Sequence, residues 1–253
     1  MKITSDNITV DDFLGGKISL HQPRHGYRAN IDSVLLASAV NATAGTHVLE
    51  LGCGVGAVIY CLKARVPDAT VTGVEVQKIY AELAIVNAEK NNFEATIVHS
   101  CISAIPNQYK KSKFHFVILN PPYRKNSASF PSKNIGRDIS TRESDLKLDD
   151  WINIAVTRCS INGQVVLIHE AERLYEILKA FGATMGDICI LPLLSYKNLK
   201  AKRVLIRATK GRKGGISILS PLIIHKVDRQ HTGGENYTKK TKKILSEGAA
   251  LNW

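Results

Sequence analysis

From about residue 46 onward, short apolar runs alternate with stretches of helical periodicity. His47-Val48-Leu49-Glu50-Leu51 reads as a buried strand ending at Gly52, and Val55 to Arg65 follows as a helix stopped by Pro67. Val71 to Glu75 is a second strand. Ile79 to Asn91 carries apolar residues at positions 79, 83 and 86 and alanines at 81, 84 and 88, a helical pattern closed by Asn91-Asn92. Thr96-Ile97-Val98 and Phe114 to Leu119 are strands, the latter cut off at Pro121-Pro122 because proline cannot donate to a sheet ladder. Trp151 to Cys159 predicts a helix, Gln164 to Ile168 a strand and Ala171 to Phe181 a helix. Ile188 to Leu191 and Arg203 to Arg207 bring the strands to seven. Strand and helix in alternation imply an α/β fold, a doubly wound, mostly parallel sheet with helices on both faces.

Three segments lie outside this rhythm. Residues 1–45 form a preface with Gly15-Gly16 and a helical end, Ile31 to Val40, starting behind Asn30 or Asp32 as a cap. The core is expected over 46–209. Within it, residues 124–148 form a polar, Ser/Lys/Arg-rich excursion of the length that binding loops have. Residues 210–253 read as a basic tail with a short helix over Thr238 to Leu245.

The chain has 253 residues, 44% of them hydrophobic, enough for one sizeable core and too apolar for disorder. No apolar run approaches the roughly 18 residues that span a bilayer, and Met1 to Asn7 has no apolar stretch behind its charge. A soluble, cytoplasmic protein is expected. Five scattered cysteines without C-x-x-C spacing exclude a disulfide scaffold and a Cys-zinc module. His21 and His25 are four apart, but Pro23 and Gly26 keep them off one helical face, so no metal is expected.

Charge changes the picture through its placement. The net charge is +12, and residues 195–253 hold fourteen Lys/Arg against three acids, whereas the other 194 residues hold 20 bases and 19 acids. A second excess spans Lys110 to Arg137, with seven basic residues and no acid. Local excesses of this kind suit a polyanion such as nucleic acid.

Candidate chemistry begins at Glu50-Leu51-Gly52-Cys53-Gly54-Val55-Gly56, where the first core strand turns into a helix. Glycines there let the backbone pass close to a ligand at a helix N-terminus. The spacing is neither G-x-G-x-x-G nor a Walker A loop. Glu75 ends the next strand, 19 residues beyond Gly56, where a carboxylate can accept both hydroxyls of a ribose. At the end of the fourth strand stands Asn120-Pro121-Pro122-Tyr123. His169-Glu170, after the fifth, reads as a pair of solvated strand-end residues.

The glycine run and Glu75 resemble the cofactor site of class I S-adenosylmethionine-dependent methyltransferases, with a Rossmann-like fold. That resemblance implies a cofactor site made of Glu50, Gly52, Cys53, Gly54, Gly56, Glu75, Val76, Ser100 and Cys101, with Asn120 beside it. The third strand of such enzymes often ends in an Asp that bonds the adenine; here His99-Ser100-Cys101 follows, so Ser100 or a backbone amide takes that place. Asn120 to Tyr123 resembles the (Asn/Asp)-Pro-Pro-aromatic motif of enzymes that methylate an amino or amide nitrogen. An exocyclic adenine amine is a poor nucleophile because its lone pair is delocalised. Acceptors at Asn120 and the Pro121 carbonyl would favour a pyramidal nitrogen, with Tyr123 stacked on the base.

Two substrate classes share this chemistry, an amino group of a nucleobase and the glutamine side chain of a protein such as a release factor. Glutamine methyltransferases typically carry a helical recognition domain before the cofactor motif, and the preface is too small for one. The basic segments also favour RNA; Lys125, Lys133, Arg137, Lys239 and Lys240 are the expected phosphate contacts. A third alternative is an RNA-binding module without turnover, against which the intact Asn120 and glycines argue. Gln22 to Leu36 and the ending, Tyr237-Thr238 and Ile244 to Leu251, resemble a narrower bacterial family, tRNA adenine-N6 methyltransferases acting beside the anticodon of a valine tRNA. The resemblance implies that Tyr27, Arg28 and Asp32 lie near the methionine end of the cofactor. Monomer and homodimer fit this sequence equally.

Overall fold

A computed structural model describes residues 7–110, 113–123, 146–226 and 236–253. The preface opens with a hairpin that the sequence pattern did not reveal, β1 (Ile8–Phe13) antiparallel to β2 (Ile18–Pro23), followed by α1 (Ile31–Ser38). Asn30 is the cap, its side chain accepting the Asp32 N–H at 2.8 Å. The core then runs β3 (His47–Leu51), α2 (Ala57–Arg65), β4 (Thr70–Glu75), α3 (Lys78–Lys90), β5 (Thr96–His99), the short α4 (Asn107–Lys110) and β6 (Phe114–Leu119). After it come α5 (Leu148–Arg158), β7 (Cys159–Glu170), α6 (Leu174–Phe181), β8 (Met185–Leu194) and β9 (Arg203–Lys210). The last elements are β10 (Ile216–Ile218), β11 (Leu222–Ile223) and α7 (Lys239–Glu247). No described helix is long and apolar enough to cross a membrane.

The seven expected strands form one sheet in the order β5-β4-β3-β6-β7-β9-β8, all parallel except β9, and β10 and β11 add to the outer edge of β8. Strands buried on both faces read as continuous apolar runs, and successive residues serve opposite faces. Val48, Val71, Ile118, Val166 and Ile168 pack with α1 and α2. Leu49, Val74, Val117, Leu119, Val165 and Leu167 pack with Ile152 of α5 and Phe181 of α6. Burying both faces of the sheet gives a large apolar core on each side of it.

The preface is tied to the core by two asparagines of α3. Asn91 pairs with both the N–H and the carbonyl of Ser19, at 3.0 and 2.9 Å, and Asn87 pairs likewise with His21, at 2.7 and 3.1 Å. Four helical residues rise about 6 Å, close to two residues of strand, so an i,i+4 asparagine pair matches the alternate peptides of β2. Asn91 therefore holds β2 as well as closing the helix. The chain's end returns to the same region: Leu251 N–H donates to the Ser38 carbonyl at 2.7 Å, and Trp253 Nε1 to that of Ala39 at 3.0 Å. Ile244 and Leu251 lie in the core cluster of α1.

Candidate active site

Register assembles the site. Leu51 stands opposite Val74 on one side and Leu119 on the other, and Leu119 opposite Leu167, so Gly52, Glu75, Asn120 and the end of β7 leave the sheet side by side. Between β3 and β6 the chain order reverses, which is where ligands bind in open α/β sheets. One cavity, of about 700 Å³, lies at the opposite, amino ends of β4 and β5; the site is marked by topology.

Gly52, Gly54 and Gly56 all have positive φ, 71°, 54° and 86°. At Gly52 a side chain would also meet the Trp151 ring of α5, with a Cβ only 2.8 Å from it, so close approach as well as backbone geometry requires glycine. The Glu75 carboxylate clasps the turn, one oxygen accepting the Gly54 N–H at 2.9 Å and the other the Gln77 N–H at 2.8 Å. Glu50 is 2% exposed, and its Oε2 has no hydrogen-bond partner among the described residues. Burial, then the charge of Glu75, pushes its carboxyl well above the usual range. Burial likewise raises Glu75. Cys53 is buried against Gly73.

On the far side of this turn Val76 is exposed, and its carbonyl lies 3.1 Å from His99 Nε2. The Ser100 N–H donates to the Glu75 carbonyl at 2.9 Å, while its hydroxyl lies 3.0 Å from the Ala104 carbonyl. Cys101 Sγ is 3.1 Å from Ser103 Oγ. The third strand thus ends beside Glu75 with a serine whose hydroxyl is turned to its own loop.

The Asn120 Oδ1 atom is buried and has no donor among the described residues. An unmet buried acceptor is unfavourable unless a ligand supplies the donor. Pro121 is buried, and Tyr123 is half-buried and fixed from two sides. Its hydroxyl donates to Asp32 Oδ2 at 3.3 Å, and its ring meets that of His169 edge-on at 5.0 Å. Asp32, 3% exposed, is paired through Oδ1 with Arg203 at the start of β9. Burial and the Asp32 charge hold the Tyr123 phenol well above its ordinary range, so it remains a donor.

His169 departs from expectation. It is fully buried, accepts the Glu170 N–H at Nδ1, and has its pKa lowered to about 4 by burial and then by Arg173. A strand-end position suggested solvent, but β7 continues to Glu170 and the Pro-Pro-Tyr segment covers it. Arg203 and Trp151 also escaped the sequence reading. Arg203 sits among Lys200, Lys202 and Arg207 and carries no local mark of its role.

The preface meets the same turn. Tyr27 lies against Gly54, and its backbone N–H donates to the Tyr80 hydroxyl at 2.8 Å. Arg28 turns the other way and bonds Asp11, Thr9 and the Pro23 carbonyl of the hairpin. Lys239 and Lys240 are exposed on the first turn of α7. Lys125, Lys133 and Arg137 lie outside the described residues, as does most of the expected 124–148 loop; its last residue, Leu148, is buried at the start of α5.

Comparison with known proteins agrees with this geometry. Residues 27–142 match the family model described as methyltransferase small domain. A relative from Porphyromonas gingivalis, a tRNA1(Val) (adenine(37)-N6)-methyltransferase, is 32% identical over 187 residues, covering 69% of this chain and 71% of its own. One of the same name from Haemophilus influenzae is 24% identical over 235 residues, covering 88% and 93%. Among solved structures, a predicted O-methyltransferase of Agrobacterium tumefaciens has a TM-score of 0.67 at 25% identity, over 87% of this chain and 98% of that one. The 16S rRNA N2 G1207 methyltransferase of Thermus thermophilus, solved with AdoMet and guanosine, has a TM-score of 0.57 at 20% identity, over 80% of this chain and 50% of that one. With the sheet, the glycine turn and the Asn-Pro-Pro-Tyr motif in these positions, the chain belongs to the tRNA1(Val) (adenine(37)-N6)-methyltransferase family of S-adenosylmethionine-dependent enzymes.

Proposed function

We propose that this protein methylates the exocyclic N6 of an adenine beside the anticodon of a tRNA, in the cytoplasm. The observation that carries this reading is the buried Asn120 Oδ1, which has no donor among the described residues and heads a motif whose tyrosine is held by Asp32. An amine with two N–H groups supplies what that acceptor lacks. Hydrogen bonds from N6 to Asn120 Oδ1 and the Pro121 carbonyl concentrate the lone pair and stabilise the positive charge that develops on nitrogen. Tyr123 offers a ring whose orientation is set by Asp32, and positioning rather than covalent chemistry supplies the rate.

The residues of the turn fit S-adenosylmethionine. Backbone at Gly52 to Gly56 can approach a ligand closely, and the Glu50 oxygen that has no partner among the described residues is a buried acceptor of the kind a cationic ligand satisfies. The bound cofactor supplies an electrophilic methyl on a sulfonium. Glu50 would hold its cationic part and Glu75, which keeps the turn in shape, would take the ribose, while Tyr27 closes the preface over Gly54.

The decisive experiment incubates tRNA and a release-factor protein with the enzyme and methyl-labelled cofactor, followed by mass spectrometry of nucleosides and peptides. Label is expected in N6-methyladenosine; label confined to protein glutamine would refute the RNA reading. Asn120→Ala should lower kcat by about a hundredfold or more while leaving cofactor affinity within a few-fold, as for loss of a group acting mainly in the transition state.

A further inference from the structure

We infer that the turn between β8 and β9, residues 195–202, together with the stacked rings of Tyr196, His225 and Tyr237, is a docking shelf for the RNA strand that carries the target adenine. This rests on the tRNA reading above and adds the surface that would hold the substrate.

The shelf adjoins the site. Because β8 is parallel to the core strands and β9 returns, the turn lies at the same edge of the sheet as Asn120. At its end the Lys202 carbonyl accepts the Ala171 N–H at 2.9 Å, and the next residue is the Arg203 that pairs with Asp32. A strand lying on this turn therefore reaches the elements that hold Tyr123.

The shelf is built from three segments. Tyr196 stacks on His225 at 5.0 Å and 30°, and His225 on Tyr237 at 5.1 Å and 21°. Backbone bonds join the same segments: Ile224 N–H to the Leu194 carbonyl, His225 to Ser195, Lys226 to Asn236 and Thr238 to Ile224. Tyr237 packs against the main core, which leaves the half-buried Tyr196 as the outer ring.

Charge complementarity names the occupant. Lys197, Lys200, Lys202, Lys226, Lys239 and Lys240 are all exposed on these segments, and none pairs with an acid among the described residues. Residues 195–226 contain no Asp or Glu; Glu170 stands opposite Arg203 in the β7–β9 register, and Asp32 is taken up by Arg203. Flexible lysine ammonium groups neutralise phosphates without reading sequence, and an aromatic ring among them offers a face to an unpaired base, the combination found on single-strand binding surfaces. An acidic protein would use the lysines but leave Tyr196 without a role.

The test uses the full chain and a transcribed valine tRNA, with binding followed by fluorescence anisotropy across a salt series and cofactor affinity by calorimetry. The triple variant Lys197→Ala, Lys200→Ala, Lys202→Ala should weaken tRNA binding tenfold or more and flatten the log–log salt slope by about 2 to 3, at roughly 0.7–0.9 per phosphate contact. Tyr196→Ala should weaken binding about tenfold with the slope unchanged, since stacking releases no counterions. Cofactor affinity should match wild type in both, and the control Lys90→Ala, Lys179→Ala should keep wild-type slope. Wild-type affinity and slope in the triple variant would overturn the shelf while leaving the tRNA reading intact. Absence of tRNA binding by the wild-type protein would instead overturn that reading, and the shelf with it.

Discussion

The Tyr123 ring is held by a chain of two contacts, its hydroxyl to Asp32 and Asp32 to Arg203, and the two have different consequences when cut. Tyr123→Phe keeps the ring and removes one hydrogen bond. Transfer should slow by about tenfold, the worth of roughly 1.4 kcal/mol, with little change in unfolding free energy. Arg203→Met leaves a buried carboxylate without its counter-charge, which should lower stability by about 3 kcal/mol in urea denaturation. Adding Asp32→Asn to that variant should recover part of the loss, because a neutral amide needs no ion partner. No recovery would mean that Arg203 stabilises the fold through packing alone.

At the scale of elements, the hairpin β1–β2 reaches the core through the asparagine pair on α3. Asn87 is fully buried and also donates to the Val55 carbonyl, so one amide serves both His21 and the start of the helix after the glycine turn. Asn87→Leu strands the His21 peptide and should lower unfolding free energy by roughly 2 to 3 kcal/mol. Hydrogen exchange should show faster opening at His21 than at the core strand β3; equal protection would show that the apolar contacts of Ile18 and Leu20 suffice to hold the hairpin. The hairpin itself was not legible in the sequence. Gly15-Gly16 marked a turn, but Thr9-Val10-Asp11-Asp12 and Ser19-Leu20-His21 are too polar and too short to announce strands, and the pairing depends on partners 66 to 72 residues away.

For the molecule as a whole, pH bears on stability through buried groups of opposite sign. His169 stays neutral in the fold down to about pH 4, whereas the unfolded chain protonates it below about 6.5. Stability is therefore lost as pH falls through that window, by about 2 kcal/mol between pH 7 and 5. Glu50 and Glu75 act in the other direction: their raised pKa values stabilise the fold at low pH, and that stabilisation is lost as pH rises. The His169 contribution is isolated by comparing the protein with His169→Asn, whose amide oxygen can still accept the Glu170 N–H. Wild type should lose the extra 2 kcal/mol relative to the variant over that range; parallel curves would show that His169 titrates in the fold as it does in the unfolded chain.

Seven core strands and the helices between them could be read from the sequence because each is a local pattern. A strand buried on both faces is a continuous apolar run, a helix has a period, and the glycine turn and Asn120-Pro121-Pro122-Tyr123 are contiguous residues at strand ends. The candidate residues of the site could be picked out for the same reason. Only the tertiary structure brought Asp32, Tyr123, His169 and Arg203 together from four distant segments, turned Arg28 to the hairpin and buried His169. It also stacked Tyr196, His225 and Tyr237 at one edge of the sheet. Such contacts join residues far apart in the chain and follow from strand order and register, so they leave no period or motif for sequence to display.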